Sequence, residues 1–159
     1  MTLAEKMKIV DLSQGPKTTN GGLTTDYVSM KNYARATVVL SLTQSTGHAT
    51  QILPKQATAV AGTSAKAFTN VLPIWHNENV ATSDTLTRQT NAVSFTPAAT
   101  ATGMDVVFQI DADKLDMANG FDCLNFVLAD SSVSANIASC VAYLEPRYPQ
   151  ANPPSAITD

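Results

Sequence analysis

Carboxylates that converge can hold a divalent cation or pass protons, and Asp105, Asp111, Asp113, Asp116 and Asp122 fall within one short stretch of the chain. Their spacing does not make a calcium loop. Leu115 sits where a ligand belongs, Asp116 where glycine is needed, and Asp122 where a bidentate glutamate is required. They read as solvated acids around a short capped helix. Asp111 and Asp113 as a glycosidase pair would flank a helix start rather than a cleft, and 6% aromatic residues leave no sugar platform. His48, His76, Cys123 and Cys140 are zinc-ligand types, but their spacing forms no finger or helical motif. Gly62-Thr63-Ser64-Ala65-Lys66 lacks the Gly-Lys-Ser/Thr ending of a phosphate loop and reads as a hairpin turn. No Gly-x-Ser-x-Gly elbow is present. The expectation is a chain without catalytic apparatus, cofactor or metal.

Residues suited to touching another protein are easier to find. Trp75, His76 and Asn77 open a polar segment expected to be a loop; Trp75 could contact a partner, but the preferred reading has it close the end of the sandwich core. The C-terminal stretch carries Pro146, Pro149, Pro153, Pro154 and Ile157, a density of proline that runs extended over a surface. Partner contacts are therefore expected at Trp75, His76, Asn77, Pro149, Pro153, Pro154 and Ile157, and over three regions: the N-terminal segment with the loop 13–25, the polar loop 76–84 and the proline-rich tail. Only 14% of residues are charged, against roughly 25% in average globular chains, which favours a surface covered by partners. Ten Lys and Arg in a chain of net charge −3, with no dense basic cluster, argue against nucleic acid. No apolar run approaches the ~20 residues of a membrane span, so no membrane role is expected. The start, Met1 to Lys6, lacks the basic-then-apolar layout of a signal peptide, which points to the cytoplasm and to Cys123 and Cys140 as buried, unbridged thiols.

The elements that must position these residues are strands. In 34–43, Ala36, Val38, Leu40 and Leu42 alternate with Thr37, Val39 and Ser41, the pattern of a half-buried antiparallel strand. Val106, Phe108 and Ile110 share a face in 104–110, as do Leu124, Phe126 and Leu128 in 121–129. A last strand is expected over 136–145, and others over 7–12, 49–60 with Pro54 at an edge or bulge, 65–75, 86–88 and 92–96. Thr2 and Glu5 have capping-box spacing for a turn over 2–7, but the strand beginning at Met7 is preferred. Only 111–120 reads helical, with Asp111 as N-cap and Gly120 as stop. Roughly eight or nine short strands predict an all-β, antiparallel β-sandwich, jelly-roll-like, with one short helix between late strands. One domain is expected over 1–145, its segment 1–25 partly an exposed arm, followed by the proline-rich tail 146–159.

Several stretches resemble a family of small virion proteins of tailed bacteriophages, encoded beside the capsid gene. They are Gly22 to Tyr33, Leu53 to Gly62, Ala81 to Leu86, Ile110 to Asp116, Asn119 to Asp122 and Pro153 to Asp159, in that order over most of the chain. The resemblance implies a decoration or cement protein on the outer surface of the capsid, assembled in the host cytoplasm. Its implied partners are the major capsid protein and further copies of itself, as a dimer or trimer. A tail or head–tail connector component, and a virion-surface carbohydrate-binding module using Trp75, are the competing expectations.

Overall fold

The alternation in the long strands is realised in a computed structural model that describes residues 2–158. A short helix α1 (Leu3–Lys6) leads into β1 (Lys8–Asp11), β2 (Lys17–Thr18), β3 (Leu23–Thr24), β4 (Val28–Ser29), β5 (Tyr33–Thr43) and β6 (Ile52–Ala57). There follow β7 (Lys66–Ala67), β8 (Ile74–Asn77), β9 (Thr87–Arg88), β10 (Gly103–Asp111), β11 (Cys123–Leu128) and β12 (Ile137–Pro146). A seven-stranded sheet has the order β1-β12-β5-β10-β8-β9, with β2 also pairing β12; a five-stranded sheet has the order β3-β11-β6-β7, with β4 also pairing β11. Every pairing is antiparallel. The protein is an all-β sandwich. Its β5–β12 pair in one sheet continues as the β6–β11 pair in the other, a jelly-roll-like wrap, although β10 lies beside β5.

The core lies between the sheets. Ala36, Val38, Leu40 and Leu42 of β5, Val106, Phe108 and Ile110 of β10, and Leu124, Phe126 and Leu128 of β11 are all buried, as their alternation predicts. Phe108 of the larger sheet meets Phe126 of the smaller edge to face, ring centroids 5.3 Å apart. That is the arrangement aromatic quadrupoles favour, and it ties the two layers together. Pro54 pairs with Phe126 at an end of β6 that β7 does not reach, so its missing N–H leaves no ladder bond unmade.

Several local expectations are corrected. The capping box and the strand at the N-terminus are not alternatives: Thr2 N–H donates to the Glu5 carboxylate to start α1, and β1 follows directly. Segment 13–25 is not a free arm. It crosses from one sheet to the other, with Thr19 and Thr25 buried and Thr19 Oγ1 donating to Ser131 Oγ at 2.8 Å. Segment 65–75 is not one strand but two, β7 and the start of β8, separated by Phe68 to Pro73. Residues 92–96 make only isolated bridges through Ala92 and Phe95.

The helix expected over 111–120 is two 3-10 turns, Ala112–Lys114 and Met117–Asn119, separated by extended Leu115. The cause is tertiary. Leu115 is drawn into the core, and the Asp111 carboxylate accepts from Arg35 Nε at 2.6 Å instead of capping. Gly120 does end the second turn, in the left-handed conformation at φ 81°.

The C-terminal tail does not run straight: it bends at 147–148, 151–152 and 156–157, and it lies on its own domain. Ser29 N–H donates to the Ala156 carbonyl at 2.7 Å, and the wholly buried Tyr33 donates its phenol to the Pro154 carbonyl. Pro153 is buried and Ala156, 1% exposed, belongs to the core. The tail therefore seals one end of the sandwich.

Candidate functional site

Cross-strand neighbours share a face, so the registers fix what the larger sheet shows to the outside. One row reads Asp11, Val141, Val39, Val107, Trp75, Arg88 from edge to edge. A parallel row begins Ile9, Tyr143, Thr37, Gln109. Val39, Val107, Val141, Tyr143 and Trp75 are half-buried with no second layer over them, while Ile9 is 46% exposed. Antiparallel sheets with one solvated face usually alternate apolar with polar. Here the middle row of the outer face is valine.

Segment 78–86 rises as a wall over the β10 and β8 side of this face. Val80 N–H donates to the Gly103 carbonyl at 3.0 Å, Asn77 Nδ2 to the Ser83 carbonyl at 2.7 Å, and Thr102 Oγ1 to the Glu78 carbonyl at 2.9 Å. Beneath the wall runs an open groove of about 330 Å³ lined by Val39, Val80, Leu86 and Val107. On its other side a shallow groove of about 320 Å³ extends past Ser41 and Thr43 to Ile137 and Ser139.

The residues expected to contact partners fall in different places. Trp75 lies on the outer face, half-buried, with the Arg88 guanidinium 4.8 Å from its ring centroid. His76 and Asn77 are part of β8, not of a loop, and both are buried. His76 points inward against Phe95, ring centroids 5.1 Å apart, and its Nε2 has no hydrogen-bond partner. Burial lowers its pKa, against a smaller opposing pull from Glu78. Among the tail residues, Pro153 is buried and Pro154 half-buried against the chain's own domain, whereas Pro149 and Ile157 are exposed.

The aspartates are spent separately. Asp105 Oδ1 accepts from Ser41 Oγ at 2.7 Å, Asp111 pairs with Arg35, and Asp122 lies 3.7 Å from Lys31. Asp116 pairs with Lys66 at 2.5 Å and accepts from Asn119, and these bonds hold its carboxyl below the usual range. No three His, Cys, Asp or Glu side chains converge as a metal site among the described residues. Cys123 and Cys140, both buried, lie in different sheets, and burial pushes the Cys140 thiol well above its ordinary range.

A second exposed region lies at the end where the termini meet. Leu3 of α1 is 56% exposed and Tyr148, just after β12, 79%. Glu5, Lys6, Glu145, Pro146, Pro149 and Gln150 line a groove of about 260 Å³ there.

Sequence reasoning missed the outer sheet face. The signal was the adjacent apolar pairs Val38-Val39 and Val106-Val107, which put an apolar residue on both sides of the same strand. Fold and surface together define an antiparallel β-sandwich with apolar residues on the outer face of its larger sheet. No protein-family model, curated protein or solved structure matches the chain.

Proposed function

We propose that this chain is a structural protein of a bacteriophage virion, a decoration or cement protein that binds the outer surface of the shell formed by the major capsid protein. The reading starts from the resemblance of its ordered segments to that family and from a surface poor in charge. The observation that carries it is the termini end, where Leu3 and Tyr148 stand exposed beside a groove walled by Pro146 and Pro149. An exposed tyrosine gives large contact area with few rotatable bonds, which makes it an economical anchor for another protein. Each contact on a shell is small, and many copies acting in parallel stabilise the whole.

The test is co-sedimentation of the purified protein with capsid shells. Replacing Tyr148 with Ala and Leu3 with Ser should weaken binding roughly thirtyfold, the effect of losing a contact of about 2 kcal/mol, with thermal stability unchanged. Unaltered binding by that variant refutes the reading of this end, and failure of the wild-type protein to bind any shell refutes decoration.

A further inference from the structure

The outer face of the larger sheet carries opposite charges at its two edges. Asp11 stands at one end of the middle row and Arg88 at the other, with four apolar residues between them. Asp11 accepts from Ser13 and from the Gly15 N–H, and Arg88 donates to the carbonyls of Ile74 and Gln89 and to Asn91. Among the described residues no ion pair includes either of them.

We infer that this face is the contact between two copies of the chain, related by a two-fold axis that runs parallel to the strands between β5 and β10. Such an axis exchanges β5 with β10, β12 with β8, and β1 with β9. Val39 then faces the partner's Val107, Val141 faces the partner's Trp75, and Asp11 faces the partner's Arg88. A row with apolar centre and opposite ends is its own complement under this rotation, which is what an isologous interface requires. A second row behaves the same way. Arg35 and Asp111 are register partners on β5 and β10, so each comes to face the other's type across the axis.

Shape agrees with charge. The wall 78–86 raises the β10 and β8 half, with Val80 and Leu86 each 45% exposed, and the β5 and β12 half is bare, with Ile137 43% exposed. The rotation lays the raised half of one copy on the bare half of the other. The six strands run from two residues in β9 to eleven in β5; at ~3.3 Å per residue and ~4.8 Å between strands they present roughly 600 Å², somewhat under the ~800 Å² each partner gives to a standard interface. Two twisted sheets meeting face to face with strands aligned is an ordinary packing mode. The pairing rests on this face alone and stands apart from the shell-binding reading.

Analytical ultracentrifugation of the full chain at micromolar concentration should give twice the chain mass of 16.8 kDa. Val107→Asp, on the outer face, should reduce this to a single chain with an unchanged far-ultraviolet spectrum. Arg88→Glu and Asp11→Lys each place like charges opposite one another, and each should weaken pairing about tenfold. An equimolar mixture of those two variants restores both opposite pairs, so its dissociation constant should return to within about threefold of wild type. A wild-type mass of one or three chains overturns the pairing, as does a folded mixture that fails to recover. If the wild type is a single chain and Val107→Asp abolishes binding to shells, the face belongs to the shell: pairing is then wrong while decoration stands.

Discussion

Truncation after Asn152 should destabilise the domain rather than merely remove a disordered arm. The cut removes three interactions, the Ser29 N–H bond to Ala156, the Tyr33 phenol bond to Pro154, and the longer 3.5 Å reach of Lys8 Nζ to the Pro153 carbonyl. It also takes Ala156 out of the core and opens Tyr33, which the intact chain buries completely. The two shorter hydrogen bonds are worth about 0.5–1.5 kcal/mol each, since water replaces them once the tail is gone. Loss of the buried Ala156 methyl adds ~0.8 kcal/mol, and uncovering the phenol ring adds a similar amount. The total is roughly 3 kcal/mol, or about 6–12 °C in Tm for a domain of this size. Tyr33→Phe isolates one part of this, leaving the Pro154 carbonyl short of a donor at a loss of about 1 kcal/mol. Differential scanning calorimetry of the three proteins checks the ordering. A Tm within about 1 °C of wild type after truncation would refute the tail as a strut, because denatured-state corrections are typically only a few tenths of a kcal/mol.

Phe108→Ala and Phe126→Ala should each cost about 3–5 kcal/mol in denaturant unfolding, and the double variant should lose less than the sum, since their edge-to-face contact can be lost only once. His76 makes stability fall on acidification. Burial depresses its pKa in the folded state, so as pH drops below the unfolded value of ~6.5 the unfolded chain takes up the proton first, and the loss saturates below the folded pKa. His76→Phe should flatten the Tm profile between about pH 7 and 5; an unchanged slope would show that another group sets it. Gly62→Ala should be worse than Gly120→Ala. Both glycines have positive φ, but a Cβ on Gly62 would come to 2.8 Å from the Tyr27 ring, while one on Gly120 meets open space. The second should cost about 1 kcal/mol and the first distinctly more, measured by the same denaturant titration.

What the sequence made legible was set by period two. Strands β5 and β10 were readable because buried apolar residues recur at every second position from Ala36 to Leu42 and from Val106 to Ile110, and propensity, burial and register agree there. The 3-10 turns were not, because the helical signal of Asp111 and Gly120 was local and the forces that broke it, Arg35 and the core under Leu115, come from elsewhere in the chain. The tail shows the same limit. Proline told that it leaves the sheet, but the Tyr33 phenol, 121 residues earlier, and the Ser29 N–H say where it stops. His76 and Asn77 were misplaced because a run of polar side chains reads as a loop. One of them packs against Phe95, and the other secures the wall 78–86 through Ser83.

The outer face of the larger sheet follows from the same logic carried one step further. A strand that needs water on one side has no use for valine there, beyond the ordinary β-propensity of a branched side chain. Three central strands that place Val39, Val107 and Val141 in one row exceed that, and charge is pushed to the edges of the row at Asp11 and Arg88. A half-buried apolar stripe of this kind left facing water invites indiscriminate association. The charges at its ends make one association better than the rest, because only a partner presenting the same row in reverse order meets every apolar residue with an apolar residue and every charge with its opposite. Specificity then comes from the edges and adhesion from the middle. Neutralising Asp11 and Arg88 together should therefore leave a sticky protein, not a monomeric one, whereas introducing a carboxylate at Val107 should abolish adhesion outright.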